Sequence, residues 1–299
     1  MRVELVDVSP MRFVDGSPVR AASGVARQGD HWLVVQDDAT HGVLWDGRSA
    51  TAQRLLPPVD GHDLFDEASG TKELKPDLEA VVTLPDGSVL ALGSGSTDAR
   101  MRAVHLAAGE PEVLELAPVY ARIVDALGIP ADQLNLEGAC VLGDSLRWFQ
   151  RGLPSAGAPT SSVDLPLAAL LAGDAEVAAV QAYDLGAVDG VGLAVTDAVT
   201  LSDGRVLVSA AAEDSPTTYD DGPVVASALA LLDGAEVVAM AALPEVGGAV
   251  AKVEGLGLVS QTEDTLELVA VVDADDPVQP STLLRLRVSG MRPIGWSSP

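Results

Sequence analysis

One pattern recurs five times along the 299-residue chain. Each copy opens with an acidic residue or a serine, continues through a short apolar strand and a polar turn, and ends in a second apolar strand. The copies begin at Ser23, Glu79, Glu137, Asp197 and Glu254, and successive starts are 56, 58, 60 and 57 residues apart. A repeat of this length predicts an array of similar units that stack to bury a shared core.

The segments between these hairpins predict two further strands in each repeat. Examples are HGVLWDG followed by TAQRLLPPV, and MRAVHLAAG followed by EVLELAPV. Four-stranded units repeated at a fixed period are typical of a β-propeller. The sequence therefore predicts an all-β fold, a five-bladed β-propeller with four strands per blade, in which residues 1–299 form a single domain.

The two ends of the chain predict how the ring closes. The last repeat is short, since only a brief tail follows STLLRLRVSG, and the N-terminal segment MRVELVDVS is a strand without a partner of its own. We expect this strand to supply the outer strand of the last blade, which also removes an exposed sheet edge.

Two kinds of segment depart from the repeat. Residues 118–134 place Tyr120, Ile123, Val124 and Leu127 on one face of a helix, so they predict a short surface helix between the second and third blades. Residues 152–164 and 213–223 are rich in Gly, Pro, Ser and Asp and predict loops.

Composition excludes several classes of partner. The formal net charge of −26 argues against nucleic acid and against an anionic membrane surface. The single cysteine, Cys140, excludes an internal disulfide and a multi-cysteine metal site. No apolar stretch approaches the roughly 18 residues that a membrane helix needs, and the N-terminus lacks the apolar segment of a secretory signal. We expect a soluble, cytoplasmic protein.

The residue that opens each hairpin is a candidate channel residue. The first strand of a propeller blade lines the central channel, so residues at equivalent strand starts form a ring. The predicted ring comprises Glu79, Glu137, Asp197 and Glu254, with Ser23 in the place of the first blade. The hairpin at Asp197 is one residue shorter than the others, which leaves Thr196 as an alternative alignment.

Carboxylates that converge in this way raise one another's pKa unless something compensates their charge. A divalent cation is one compensation, and Ca²⁺ suits it because it accepts about 6 to 8 oxygen ligands in a loose geometry. Ion pairs are another, and the candidate cationic partners are Lys75, Arg102, Arg151 and Lys252. Hydration of a wide channel is the third. For a repeated set of acids, a bound cation or an ion-pair network is favoured.

Two arginines are candidate ligand contacts. Arg102 in GSGSTDARMR and Arg151 in FQRG lie at or just beyond the ends of second strands. Guanidinium groups in such positions bind the phosphate or carboxylate of a small anionic molecule. The alternative is that each arginine balances the channel acids.

Several short motifs resemble those of a known group. KPDLEA, NLEGA and KVEGL, with SGVA at the head of the first blade, resemble bacterial β-propellers of the phytase-like and esterase-like group. Together with GSGS and QRG, they are most similar to an uncharacterised branch of that group. The resemblance implies calcium among channel carboxylates and, in some members, hydrolysis of phosphate esters. It marks Glu79, Glu137 and Glu254 as cation or substrate contacts.

These observations predict a channel that binds a divalent cation and a small anionic ligand. In the catalytic version, a metal-dependent phosphoester hydrolase, Glu79, Glu137, Arg102 and Arg151 are the catalytic residues. The alternative is a non-catalytic scaffold whose rim binds a protein partner. An enzyme needs a well-formed polar pocket, whereas a scaffold needs an exposed apolar patch.

Overall fold

Five separate antiparallel sheets surround a central channel in the computed structural model, which describes residues 1–107, 109–153, 157–214, 222–273 and 278–291. The inner strand of each sheet contacts the inner strands of the two neighbouring sheets, so the sheets form a closed ring of blades. The five-bladed β-propeller predicted from the repeat is confirmed.

In blades 1 to 3 the strands follow one another outward from the channel in chain order. The chain begins with β1 (Arg2–Pro10), which belongs to the last blade. Blade 1 comprises β2 (Ala22–Gln28), β3 (His31–Gln36), β4 (His41–Trp45) and β5 (Ala50–Arg54). Blade 2 comprises β6 (Leu78–Thr83), β7 (Val89–Gly93), β8 (Arg102–Leu106) and β9 (Glu112–Glu115). Blade 3 comprises β10 (Leu136–Leu142), β11 (Ser145–Gln150), β12 (Ser161–Pro166) and β13 (Ala179–Ala182).

The last two blades each add a feature. Blade 4 comprises β14 (Ala187–Val188), β15 (Val191–Thr200), β16 (Val206–Glu213), β17 (Val224–Asp233) and β18 (Glu236–Ala242). Its short β14 is a fifth strand that the repeat did not predict. Blade 5 comprises β19 (Val253–Gln261), β20 (Thr265–Val272) and β21 (Thr282–Ser289). Strand β1 pairs antiparallel with β21, with Val3 opposite Val288, so the predicted closure by the N-terminal strand is confirmed.

The apolar core of the described residues lies between the blades. Five clusters of buried Val, Leu and Ala side chains fill the interfaces between successive blades, including the interface between blades 5 and 1. Strands packed on both faces are apolar throughout rather than alternating, and in β7 all five residues are buried. This packing fixes the positions of the inner strands around the channel.

Helix α1 (Ala117–Leu127) confirms the first part of the helix predicted over residues 118–134, with Pro118 in its first turn. It ends at Gly128, whose φ of +65° gives the left-handed cap that favours glycine. The helix is more than a surface feature, because Tyr120 is fully buried and its hydroxyl donates to the Gly93 carbonyl at 2.6 Å.

Other short helical segments were not predicted. They are helix α2 (Leu167–Leu171) and the 3₁₀ turns at Lys72–Leu74 and Asp98–Arg100. A further 3₁₀ turn, Ala131–Gln133, lies where the prediction continued helix α1. None of the helices in the described ranges is long and apolar enough to cross a membrane.

The two predicted loops have different outcomes. The first extends too far, because residues 161–164 belong to β12, and its residues 154–156 lie outside the described residues. Most of the second, residues 215–221, also lies outside the described part of the chain.

Candidate ligand-binding channel

Each inner strand carries a β-bulge. In each bulge an extra residue interrupts the ladder and lies next to the channel. The bulge residues are Ser23, Glu79, Glu137, Thr196 and Glu254. The three glutamates line one cavity, as the repeat predicted.

The alignment of Asp197 with these glutamates is wrong by one residue, and the alternative residue Thr196 holds the bulge position. The Thr196 hydroxyl donates to the Val253 carbonyl at 2.6 Å. In the same way, the Ser23 hydroxyl donates to the Leu78 carbonyl at 2.5 Å. Blades 1 and 4 therefore use a hydroxyl to join the next blade, where the other three blades present a carboxyl group.

Asp197 lies one step deeper in the channel. The other blades have small residues at this level, namely Gly24, Ala80, Gly138 and Gly255. The Asp197 carboxylate accepts the backbone N–H of Leu256 at 2.6 Å and that of Ala139 at 3.4 Å. Only 1% of Asp197 is exposed, and this burial raises the pKa of its carboxyl group well above the ordinary value. We call this level of the channel the neck.

Above the neck, the channel opens into a cavity of about 360 Å³. We call it the polar cavity, because charged side chains from four blades dominate its wall. Its acidic residues include Asp37, Asp77, Glu79, Glu137, Glu254 and Asp273. Its basic residues include Lys75, Arg100, Arg151 and Lys252.

One side of the polar cavity is held by Lys75. Its ammonium group lies 2.5 Å from Asp37 Oδ2 and 2.9 Å from Asp77 Oδ1. The other oxygen of Asp77 contacts the Arg100 guanidinium at 2.9 Å and accepts a hydrogen bond from the Ser94 hydroxyl. Burial opposes ionisation of Asp77, but Lys75 and Arg100 hold the pKa of this carboxyl group below its ordinary value. Asp77 has a φ of +57°, a left-handed conformation that aspartate adopts more readily than most non-glycine residues.

The other side is held by a chain of ion pairs. Arg151 contacts Glu137 at 3.2 Å and Glu213 at 2.5 Å. Lys252 contacts Glu213 at 3.1 Å and Glu254 at 2.9 Å. Burial raises the pKa of Glu254 to about 7, even though the Lys252 ammonium favours its ionised form. A carboxyl group with this pKa exchanges a proton near neutral pH.

Glu79 lies beside the Lys75 side of the cavity. Burial, together with the charges of Asp77 and Asp37, raises the pKa of Glu79 well above its ordinary value. Glu79, Asp37 and Asp77 each offer one carboxylate oxygen, and the three oxygens lie within 4.8 Å of one another. These three residues form the carboxylate cluster.

The channel carboxylates form ion pairs, which is one of the compensations expected from the sequence. One of the predicted cationic partners is wrong. Lys75, Arg151 and Lys252 contact channel carboxylates, but Arg102 is not part of the cavity wall and instead begins β8 opposite Glu115. The arginine that this segment sends into the cavity is Arg100.

Several residues of the site were missed, namely Asp37, Asp77, Arg100, Glu213 and Asp273. One signal was available for Asp77. It stands two residues before Glu79, as Lys252 stands two residues before Glu254, so this position also recurs at the channel.

The fold and the site define a five-bladed β-propeller with an ion-paired polar cavity at one end of its channel. Residues 18–288 match the profile of a family described as a family of unknown function, DUF6929. The match covers most of the chain, so the protein belongs to this family. Comparison with curated proteins gives no match.

Similar solved structures share the propeller fold. One is a candidate glycoside hydrolase from Parabacteroides distasonis, with a TM-score of 0.50, 8% identity, and coverage of 90% of this chain and 86% of that one. An endo-arabinanase from Bacillus licheniformis has a TM-score of 0.47, 12% identity, and coverage of 93% and 95%. A mannose phosphorylase from Leishmania mexicana, solved with phosphate, has a TM-score of 0.47, 14% identity, and coverage of 94% and 88%. At these identities the likeness concerns the fold alone.

Proposed function

We propose that the polar cavity binds a divalent cation together with a small anionic ligand, and that the protein hydrolyses this ligand. The observation that carries the proposal is the carboxylate cluster, three acidic groups whose oxygens lie within 4.8 Å of one another. The proposed cation ligands are therefore Asp37, Asp77 and Glu79. They replace the ring of Glu79, Glu137, Asp197 and Glu254 that the sequence predicted.

The chemistry of the cluster fits a hard cation. Carboxylate oxygens are the ligands that Ca²⁺ prefers, and its flexible coordination tolerates an uneven set. Asp37 and Asp77 also contact the Lys75 ammonium. A cation bound at the cluster would therefore share these two ligands with Lys75. Burial and the charges of Asp77 and Asp37 raise the pKa of Glu79, and a cation bound at the cluster would favour its ionised form.

The opposite side of the cavity supplies groups for an anionic ligand and for proton transfer. When bound, a divalent cation polarises a phosphoryl oxygen and offsets negative charge. Arg151 and Lys252 are placed to bind further anionic oxygens. Glu254, with a pKa of about 7, suits the role of the general base that takes a proton from an attacking water molecule. This role adds Glu254 to the predicted catalytic residues, while Arg102 is set aside.

Cation binding is tested by calorimetry and thermal unfolding with Ca²⁺, Mg²⁺ and Mn²⁺. A ligand that binds only the folded protein stabilises it by about 2.7 kcal/mol at one hundred times its Kd. We expect Ca²⁺ to raise the Tm, a chelator to reverse the rise, and Glu79→Gln to abolish most of it. Glu236→Gln changes an exposed glutamate and serves as the matched control. An unchanged unfolding curve at millimolar Ca²⁺ would reject the site.

Hydrolysis is tested with aryl phosphomonoesters and phosphodiesters, and with aryl glycosides because one similar fold is described as a candidate glycoside hydrolase. We expect turnover of a phosphoester with one of the metals and its loss in both Glu254→Gln and Arg151→Ala. Equal rates in the wild type and both variants would indicate a contaminating enzyme.

The resemblance to phytase-like propellers and a cytoplasmic location remain predictions.

One observation favours the alternative function, a non-catalytic scaffold that binds a protein partner. Phe13, Val14 and Leu64 line a groove of about 650 Å³ beside blade 1, and Val14 is 77% exposed. A protein partner whose binding is lost in Val14→Asp but kept in Glu137→Gln would support this role. Ligand binding in the channel of the isolated protein supports the enzymatic role.

A further inference from the structure

The channel widens again on the other side of the neck. There it forms a second cavity of about 300 Å³, to which the inner strands of all five blades contribute. Most of the wall is apolar, and it includes Val25, Val81, Val82, Val199, Leu256 and Leu258. We call this space the apolar cavity. It shares no lining residue with the polar cavity.

The neck separates the two cavities. The Asp197 carboxylate bonds to the backbones of β10 and β19 and is 1% exposed, so it is buried between these inner strands. The inner strands are also close together, because a Cβ on Gly138 would lie 2.2 Å from Asp197 Cα. The same atom on Gly255 would lie 2.6 Å from Gly24 Cα. The apolar cavity therefore lies on the opposite side of the neck from the polar cavity, toward the other face of the propeller.

Arg27 supplies positive charge at the rim of this pocket. Its guanidinium lies 5.1 Å from the centre of the Trp32 ring, and its Nε donates to the Gly29 carbonyl at 2.9 Å. An ion pair requires a nitrogen–oxygen distance of 4.0 Å or less, and within the described ranges no carboxylate oxygen lies that close to the Arg27 guanidinium. Arg27 is itself exposed, so its guanidinium is accessible from solvent. Its terminal nitrogens can bind a carboxylate from outside.

The walls also offer polar backbone groups. Strands β2, β6, β10 and β19 are each the innermost strand of their sheet, so their channel-facing edges have no β partner among the described residues. Side chains bond part of these edges, since Thr83 donates to the Arg27 carbonyl and Thr200 to the Val141 carbonyl. Such edges need hydrogen-bond partners, because a buried unpaired backbone group costs free energy. A ligand of mixed character therefore suits this pocket better than a pure hydrocarbon.

We propose that the apolar cavity binds a small carboxylic acid. Its hydrocarbon body would lie between Val25, Val81 and Leu256, and its carboxylate would bind Arg27. The cavity volume lies at the lower end of the range for small-molecule pockets, which limits the ligand to a short chain or a single ring. Because the neck separates the cavities, this site is independent of the function proposed for the polar cavity.

Calorimetric titration with hexanoate, octanoate and hexan-1-ol tests the proposal. We expect one hexanoate to bind per chain with a negative heat-capacity change, as apolar burial requires. Arg27→Gln should weaken hexanoate binding about tenfold and leave hexan-1-ol unchanged, since it removes a charge-assisted hydrogen bond. Arg48→Gln removes another exposed arginine and should have no effect.

Two further variants locate the site. Leu258→Trp places bulk at a half-buried position of the apolar cavity and should abolish binding of both probes. Arg151→Ala alters the polar cavity and should leave hexanoate binding unchanged. The proposal is overturned if no probe binds saturably at millimolar concentration. It is also overturned if Arg151→Ala abolishes binding, or if Arg27→Gln and Arg48→Gln weaken it equally.

Discussion

The carboxylate of Asp197 accepts the backbone N–H of Leu256 at 2.6 Å, and this bond joins blades 4 and 5 at the neck of the channel. The second carboxylate oxygen faces the N–H of Ala139 in blade 3 at 3.4 Å. One side chain therefore links three blades. Gly138 in blade 3 leaves room for the Asp197 backbone, since a Cβ there would lie 2.2 Å from Asp197 Cα.

Removing this carboxylate should destabilise the protein. Asp197→Ala leaves two buried backbone N–H groups without their acceptor, and each such group costs about 1–3 kcal/mol. We expect the free energy of unfolding to fall by about 2–4 kcal/mol in urea denaturation. Asp197→Asn keeps one acceptor oxygen and should lie between the wild type and the alanine variant. Asp233→Ala, at an exposed turn, is the control, and a loss no larger than the control's would contradict the role of Asp197.

The close approach of the strands gives a second prediction. In Gly138→Ala the new Cβ would lie 2.2 Å from Asp197 Cα, and backbone atoms cannot move aside as a flexible side chain can. Overpacking of this kind typically costs about 1–3 kcal/mol, and we expect the upper end of that range or more. Gly143→Ala has open space around it but a φ of +57°, so it should cost only about 1 kcal/mol. Equal unfolding midpoints for the two variants would contradict the close approach.

The sequence predicted the blade number and the closing strand because both depend on a local pattern repeated at regular intervals. It misplaced Asp197 because aligning the repeats by their acidic residue ignores the bulge, whose extra residue shifts the register by one position. Arg102 was misplaced because the sequence does not show the short turn that precedes β8. The 3₁₀ turn Asp98–Arg100 directs Arg100 into the cavity, where it is 3% exposed, and leaves Arg102 at the start of a strand.

The ion pairs themselves could not be predicted from the sequence. Arg151 and Glu213 are 62 residues apart and meet only because neighbouring blades bring their strand ends together. Helix α2 was missed for a different reason, since a five-residue apolar run does not show whether it is a strand or a helix.

The Lys75 ammonium should be required for the stability of the polar cavity. Lys75→Met leaves Asp37 and the buried Asp77 without their shared cation, and breaking a buried pair in this way costs about 3–5 kcal/mol. We expect a loss of about 3 kcal/mol at neutral pH, given the partial exposure of Lys75 and Asp37. Lys72→Met is the matched control, because the exposed pair of Lys72 with Glu67 is worth less than about 1 kcal/mol. Similar losses in the two variants would show that Lys75 is not buried in an ion pair in solution.

The Lys75 variant also bears on the proposed cation site. A divalent cation that binds Asp37 and Asp77 no longer competes with an ammonium group in Lys75→Met. We therefore expect Ca²⁺ to raise the Tm of this variant more than that of the wild type. An equal Ca²⁺ response in both proteins would place the cation elsewhere.

Glu254 should make stability depend on pH in a defined direction. Burial raises its pKa from the ordinary 4.5 to about 7, so the folded protein holds this proton more tightly than the unfolded chain. The resulting stabilisation is fully present below pH 4.5 and is lost as the pH rises through about 7. Between these values it changes the free energy of unfolding by up to about 1.4 kcal/mol per pH unit.

Urea unfolding of wild type and Glu254→Gln at about pH 5, 6 and 7, at constant ionic strength, measures this contribution. The wild type should lose stability more steeply with rising pH than Glu254→Gln, which cannot release the proton. Glu236→Gln should retain the wild-type slope, because its glutamate is exposed. Parallel slopes in all three proteins would contradict the raised pKa. If Glu254 is also the general base, hydrolytic activity should rise with pH through about 7 while stability falls, because both changes follow the loss of the same proton.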